Sequence, residues 1–517
     1  MLPVLSSSQI RRLEADAMER GSFTVLELME RAGTACAQRI IELHAAGDLG
    51  RADRFVVVVG MGNNGGDGLV IARLLHASGF RVRVLRMIHR KEPSKENAIN
   101  HQRLLSAGIQ IDAIDHSMND IGPAQEEIVI DALFGTGLSR PPEGLVAQVI
   151  TWINGSGRPI IAIDLPSGSV APEDGISCEP TACVRANHTL TFEVPRLGLL
   201  LPETGAYAGH FHLLPIGLQA AERAAPERLG EWVRPTDLSD RLHPRPRFGH
   251  KGTFGHGLVA AGSSGMYGAA VLALKGCLGS GVGLVTAHVP GEAATGLMTV
   301  APDAMCSKDP CSDHLSSLPS MGRFNAVALG PGCGQHADTA LLVEQCLRKV
   351  QGPLLLDADA LNLLAHHPMW MELLGPKTVL TPHPKEMDRL LGSPSASSYE
   401  RLYRTVAFAQ LHNCTVVLKA AYTVTCTPDG KLFFNSSGNA GMAKGGSGDV
   451  LTGLLAGLLA QGYSTLDACL IAVHLHGSAG DIAAEGPGMD AMRPSDLIIA
   501  LPKAWKKLRS ASEQAVQ

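Results

Sequence analysis

The chain has 517 residues, of which 45% are apolar, 18% charged and only 4% aromatic. That length implies about two to four domains, and so much aliphatic material with so little charge excludes a disordered chain. Lys and Arg number 44 against 49 Asp and Glu, a formal net charge of −5, so no basic excess exists to hold a nucleic-acid backbone and the expected ligands are small molecules.

The opening MLPVLSSSQIRRLEADAMER meets charge too soon for a signal-peptide core, and the longest apolar run, near Val450–Ala460, falls short of a membrane span. A cytoplasmic protein without membrane attachment is expected. The 11 Cys are odd in number and include no C-x-x-C; the nearest pairs, Cys178/Cys183 and Cys306/Cys311, lack a second pair at zinc-finger spacing, so all read as buried reduced thiols. Ser8–Ala37 carries apolar residues at helical spacing and predicts packing helices. Beyond it, β-branched runs at Phe55–Val59, Phe80–Leu85, Ile128–Ile130 and Ile160–Ile163 alternate with amphipathic stretches such as Leu69–His76. That alternation predicts βαβ units and a parallel sheet.

Gly60, Gly62 and Gly65 satisfy G-x-G-x-x-G at a strand-to-helix turn, where backbone N–H groups approach phosphate. A dinucleotide dehydrogenase would place an acid near the end of the next strand; here Arg86, Met87 and Ile88 follow, and that reading loses ground. Two more strand ends are polar, at Asp131 and at Asp164–Ser167. Carboxyl ends of parallel strands converge on one crevice, which Asn64, Asp131, Asp164 and Ser167 would line. A single Asp after a strand is usually a helix cap, but three such turns in one domain point to a site.

The segments GMGNNGGDG at 60–68, DALFGTGLSR at 131–140 and IDLPSG at 163–168 resemble the NAD(P)HX epimerase family, over residues 1–220. The resemblance implies that Asn63, Asn64, Gly65, Gly66 and Asp67, with Gly135, Thr136, Gly137, Leu138, Ser139, Arg140 and Pro141, contact a hydrated dinucleotide. It further implies potassium on Asn64, Asp131 and Ser167, with Asp164 touching substrate as the acid/base candidate. The chemistry is reasonable: the C6 hydroxyl of NAD(P)HX adjoins a ring nitrogen whose lone pair helps expel it, and a carboxylate stabilises the resulting cation and moves protons.

Residues 221–245, rich in charge and Pro, read as a linker with room for one short helix. A second βα series follows at Gly257–Ala261, Val282–Val289, Ala326–Leu329, Pro353–Asp357, Thr378–Leu380 and Thr415–Leu418. The halves share no motif, so two different α/β domains are expected rather than a repeat. Gly445, Gly446, Ser447 and Gly448 precede Asp449 and an apolar helix, a turn that aims free N–H groups and a helix dipole at an anion beside a carboxylate. Such a site suits phosphoryl transfer, although no G-x-x-x-x-G-K-[ST] occurs. Lys419 ends a strand as a point charge for phosphate, while His383 reads equally as a turn residue or a ligand. His474 and His476, two apart, share no helix face and read as packing.

This half resembles the ribokinase-like superfamily. More narrowly, HKGTFGH at 250–256, AGSSGMYGAA at 261–270, LGPGCG at 329–334, LDADALN at 356–362, TPHPKE at 381–386, LKAAYT at 418–423 and GGSGDVLTG at 445–453 resemble the ADP-dependent NAD(P)HX dehydratases, over about residues 246–505. The family usually carries Thr where Ser447 stands, which keeps the hydroxyl. The resemblance implies that Ala269, Gly332, His383 and Asp449 contact NAD(P)HX, and that Lys419, Ala420, Ala421, Tyr422, Thr423 and Gly448 contact the adenine nucleotide. Residues 506–517 would be a tail.

The expected architecture is therefore a Rossmann-like parallel-sheet domain followed by a ribokinase-like α/β domain. The resemblances imply an epimerase for R and S NADHX and NADPHX and a dehydratase that uses ADP on the S form, with potassium as cofactor, magnesium left open and a homo-oligomer expected. Two rivals stand beside it: a small-molecule kinase with a dinucleotide-sensing N-terminal domain, and a non-enzymatic scaffold, since the epimerase fold also resembles a domain of mRNA-decapping scaffolds. Intact Asn64, Asp131, Asp164 and Ser167 and the lack of basic charge weigh against the scaffold.

Overall fold

The computed structural model describes residues 1–21, 23–115, 126–135, 141–169, 182–218 and 227–514. The chain forms two compact units, Leu2–Leu229 and Gly230–Gln517 together with Met1.

The N-terminal unit opens with helices Ser7–Glu19 and Val25–Ala46, each begun by a capping box, Ser6 with Gln9 and Thr24 with Glu27. The apolar stretch of Ser8–Ala37 is thus two helices, broken after Arg20 where Gly21 turns to φ +71°. Behind them lies a seven-stranded sheet in the order Ile111–Ile114, Arg81–Met87, Arg54–Val59, Glu127–Ala132, Ile160–Ile163, His188–Phe192, His210–Leu214. Every pairing is parallel. Alternate residues of one strand feed two cores: Phe55, Val57 and Val59 pack with Leu69, Ile71 and Leu75, whereas Val56 and Val58 pack with Val149, Ile150 and Ile153. A sheet buried on both faces explains the unbroken β-branched runs. Strand order reverses between Arg54–Val59 and Glu127–Ala132, so a crevice opens beyond their carboxyl ends.

In the C-terminal unit, strands Thr415–Leu418, Thr378–Leu380, Leu354–Leu356, Ala326–Leu329, His256–Ala260, Leu284–Val289 and Met305–Lys308 lie side by side and parallel. An antiparallel pair, Val424–Cys426 and Leu432–Asn435, extends one edge. Here the order reverses between His256–Ala260 and Ala326–Leu329. Helices Tyr267–Gly279 and Ser447–Ala460 pack into the core of this unit.

The linker read over residues 221–245 is shorter than its composition suggests. Gly230–Val233 is a parallel strand that pairs Glu231 with Phe433, and Pro235–Ser239 is a short helix. Trp232 and Val233 are buried, but a four-residue strand amid charge and Pro leaves no periodic signal. Similarly, helix Pro494–Gln514 runs past residue 505 and buries Leu508, so the expected tail begins inside an element. The thiols also need a correction, because Cys306 and Cys311 are only partly buried; Cys178 lies outside the described residues. Both lie at the sheet's outer edge, where strand Met305–Lys308 has one neighbour and the loop after it is open to solvent. Among the described residues no helix is long and apolar enough to cross a membrane.

Candidate active sites

The crevice of the N-terminal unit holds a cavity of about 590 Å³. Its floor is the start of helix Asn63–Ala77, whose N-cap is Gly62 and whose first turn has no side-chain cap, so its N–H groups are available to an anion. Arg90, whose guanidinium donates to the Met61 carbonyl, and Ser94 add a cation and a hydroxyl at that end. The glycine turn is held from behind by Asn97, which donates to the carbonyls of Gly60 (3.1 Å) and Gly62 (2.9 Å) and accepts from buried Arg86 (3.0 Å).

Asp164 sits where strand Ile160–Ile163 ends, in the left-handed region at φ +69°, with its N–H tied to Leu190 (2.7 Å). Its carboxylate accepts from Nη2 of Arg196, which is 2% exposed and whose Nε and Nη1 have no hydrogen-bond partner among the described residues. A Cβ on Gly135 would lie 2.5 Å from Asp164 Oδ2 and 3.5 Å from Asn64 Cγ, so only glycine lets these side chains converge. Two further acids face the same space. Burial, then the nearby Asp164 charge, pushes Glu14 up to about 7, and burial with Asp164 and Glu14 holds Asp67 well above the usual carboxylate range.

Asp131 is fully buried: Oδ1 accepts from Ser167 Oγ (2.6 Å) and Leu133 N (3.2 Å), Oδ2 from Ser167 N (2.8 Å). Asn64 Oδ1 and Nδ2 are buried without any hydrogen-bond partner among the described residues. An orphaned amide oxygen, with a sealed carboxylate and a hydroxyl on the neighbouring turns, is an oxygen set that fits a hard monovalent cation.

Of the residues read from sequence, Asn63, Asn64, Asp67, Gly135 and Asp164 all line the cavity. Gly65 and Gly66 do not: the first packs on the Gly60 carbonyl and the second on the Met29 thioether. Pro141 is exposed ahead of helix Gly144–Asn154, and Thr136–Arg140 lie outside the described residues. Glu14, Asn97 and Arg196 were not singled out from sequence.

In the C-terminal unit the site grows around the start of helix Ser447–Ala460. Gly446 is its N-cap at φ +100°, and no side chain caps its first turn. His476 Nε2 meets the Ser447 carbonyl (2.9 Å) from a neighbouring helix; it and His474 are buried core residues, as their spacing predicts. Lys419 Nζ bonds Asp357 Oδ1 (2.8 Å) and lies 4.0 Å from Glu386 Oε2, while Thr452 donates to Asp357 Oδ2 (2.6 Å). Burial alone would lower the Lys419 pKa; Asp357 and Glu386 outweigh it and hold the ammonium charged. A Cβ on Gly448 would stand 3.4 Å from Lys419 Nζ, so cation and helix N-terminus face one space. Asp449 stands in the helix's first turn, and burial followed by the Asp357 charge pushes it up to about 7, poised between acid and base.

His383 caps helix Pro384–Leu390: its Nδ1 accepts from Lys385 N (3.1 Å) and Glu386 N (3.3 Å), and Glu386 returns a bond to His383 N (2.8 Å). It is a structural cap, as the turn reading expects, with its side chain nearly half exposed and Nε2 3.4 Å from Glu386 Oε1. At the switch point, Gly332 (φ +56°) packs on Ala269, and Ser263 Oγ donates to the Gly332 carbonyl (2.9 Å). Tyr422 packs at a tilt of 55° against Trp232 and, with Ala420, Ala421 and Thr423, forms the turn after Lys419. Asp357 and Glu386, inside quoted motifs, gain their roles only through residues far along the chain.

Family models match both halves: one described as YjeF-related protein N-terminus over residues 25–198, the other as NAD(P)H-hydrate dehydratase over residues 257–503. Similar full-length proteins include a bifunctional NAD(P)H-hydrate repair enzyme of Moorella thermoacetica, 35% identical across 99% of this chain and 98% of that one. Another is its counterpart in Escherichia coli, 35% identical across 96% and 93%. Among solved structures, the ADP/ATP-dependent NAD(P)H-hydrate dehydratase of Bacillus subtilis, co-crystallised with ATP and Mg²⁺, is 30% identical over 54% of this chain and 99% of that one, with a TM-score of 0.48. With both halves matched and relatives aligned end to end, the chain belongs to the bifunctional NAD(P)H-hydrate repair enzyme family.

Proposed function

We propose that the N-terminal unit interconverts R and S NAD(P)HX and that the C-terminal unit dehydrates S-NAD(P)HX to NAD(P)H, consuming ADP and releasing AMP and phosphate. The observation that carries this reading is the pairing, at each sheet's switch point, of an uncapped helix N-terminus with an acid withdrawn from solvent: Asn63–Ala77 with buried Asp164, Ser447–Ala460 with half-buried Asp449.

In the first site, the helix start with Arg90 takes the pyrophosphate, and Asp164 lies beside the nicotinamide ring. The ring nitrogen's lone pair expels the C6 oxygen as water once it has taken a proton from solvent, the carboxylate stabilises the ring cation left behind, and water adding to either face gives either epimer and returns the proton. Arg196 holds Asp164 in place through their buried ion pair. Asn64, Asp131 and Ser167 would hold potassium, which supplies a fixed positive charge beside the ligand's oxygens.

In the second site, Asp449 accepts the proton of the C6 hydroxyl as its oxygen attacks the terminal phosphorus of ADP, and the bond to AMP breaks. The helix N-terminus and Lys419 stabilise charge on the transferring phosphoryl group; magnesium would enter with the nucleotide. Phosphate then leaves C6 with its bonding electrons, a proton leaves C5, and the ring double bond is restored. Hydroxide is a poor leaving group and phosphate a good one, which explains why a nucleotide is consumed.

The deciding experiment incubates the protein with R and S NADHX and ADP and follows dihydronicotinamide absorbance. Full recovery of both epimers with one AMP per NADH is expected. A stable phosphomonoester product with no NADH would establish a small-molecule kinase instead.

A further inference from the structure

Away from both sites, the C-terminal unit gathers Cys311, His314 and Asp338 so that a sulfur, an imidazole nitrogen and a carboxylate oxygen all lie within 4.8 Å of one another. We propose that these three side chains bind one borderline divalent transition ion of the zinc class. The sequence carries the set as C-x-x-H at 311–314 and H-x-D at 336–338, two half-motifs that spacing alone does not join.

The surroundings are built for ligation. His314 Nε2 faces Asp338 Oδ2 at 3.2 Å, while its Nδ1 meets Asp313 Oδ1 at 2.8 Å. A carboxylate on the far nitrogen fixes the tautomer and leaves Nε2 as the metal-facing lone pair. The loop is held rigid by Asp309, fully buried, which accepts from Cys311 N (2.9 Å), Ser316 N (2.9 Å) and Ser316 Oγ (2.7 Å) and meets His288 Nε2 (3.1 Å). Asp338 is fixed in the first turn of helix Ala337–Lys349, where its N–H donates to His336 Nδ1 (3.2 Å). The His336 ring lies 3.9 Å from that of His314, beside the remaining coordination space, which it or water would fill.

The donor set decides the class of ion. Thiolate with imidazole favours zinc or cobalt and disfavours magnesium and potassium, which take oxygen ligands. Binding releases the Cys311 thiol proton to solvent and leaves the sulfur as thiolate. No reacting group of the dehydratase belongs to the cluster, but the loop is tied to the site: Ser264 N donates to the Asp313 carbonyl (2.7 Å), and neighbouring Ser263 holds Gly332. The ion would thus clamp the loop that supports the substrate-facing turn, in a structural role.

The test uses the full chain, stripped with chelator and titrated with Co²⁺. One equivalent should bind, with a thiolate-to-cobalt charge-transfer band and the visible spectrum of a four-coordinate site. Cys311→Ser should abolish the band, and Asp313→Asn should weaken binding about 10- to 100-fold, the usual effect of removing a partner of a ligating histidine. Should Cys311→Ser fail to fold, His314→Gln and Asp338→Asn carry the same test, each with at least about tenfold loss of affinity. Absence of stoichiometric Co²⁺ binding, an unchanged band in Cys311→Ser, or displacement by equimolar Mg²⁺ would each overturn the proposal and leave a plain His–Asp pair.

Discussion

Two carboxylates with opposite surroundings divide the chemistry between them. Asp164 is paired with buried Arg196, whereas Asp449 is pushed up to about 7 by burial first and then by the repelling carboxylate of Asp357. Asp164→Asn is expected to stop enzyme-driven exchange of R and S NADHX while S-NADHX plus ADP is still repaired; chiral chromatography reads the first and absorbance the second. Asp164→Ala strips Arg196 of its partner altogether and should in addition destabilise its unit by about 3–5 kcal/mol, as for other broken buried pairs. Asp449→Asn should lose about 10²–10⁴-fold in nucleotide-dependent repair and still bind ADP. The unprotonated form of Asp449 is the base, so kcat/KM should rise with pH and level off above about 7; Asp357→Asn, which removes a neighbouring negative charge, should move that limb to lower pH. A profile flat from pH 5 to 8 would reject Asp449 as the base. Asp449 and Lys419 were legible because glycine and a strand end mark them. Asp357, 62 residues from Lys419, and Arg196, 32 from Asp164, were not, since their chemistry is created by contacts that no local pattern encodes.

At the scale of elements, what places Asp449 is how closely two helices meet. Gly453 of helix Ser447–Ala460 lies against the Ala273 carbonyl of helix Tyr267–Gly279, and Gly276 returns the contact at Val450. Gly453→Ala forces a methyl into backbone and is expected to cost about 1–3 kcal/mol, seen as a lower melting temperature, with dehydratase activity falling because the anion-facing end shifts. An unchanged melting temperature would mean that the helices part without penalty. The central strands of both sheets were legible because burial on two faces demands unbroken β-branched runs. The edge elements Val424–Cys426, Leu432–Asn435 and Gly230–Val233 were not: each has three or four residues, too short for periodicity, and its partner strand decides it. The two halves of the proposed metal cluster, Cys311-x-x-His314 and His336-x-Asp338, escaped because only the fold brings them together, through a loop anchored on Asp309 and tied to Thr339 at Leu315.

Over the whole molecule, each site is built from its own unit: the first cavity draws on residues from Arg11 to Ile216, and the Lys419–Asp357–Thr452 network, with Asp449 beside it, belongs to Gly230–Gln517. Among the described residues neither site takes a side chain from the other unit, so S-NAD(P)HX formed in the first site is expected to be released before the second uses it. Repair of pure R-NADHX then needs both carboxylates, but not on one chain. Asp164→Asn and Asp449→Asn should each fail on R-NADHX with ADP beyond the spontaneous epimerisation rate. Mixed in equal amounts they should recover repair at about half the wild-type rate, because each supplies one intact site at half the total concentration. The recovered rate should rise with the concentration of either variant, as expected for an intermediate that diffuses. Failure of the mixture, with each variant still active in its own half-reaction, would show that the epimer passes between sites of a single chain.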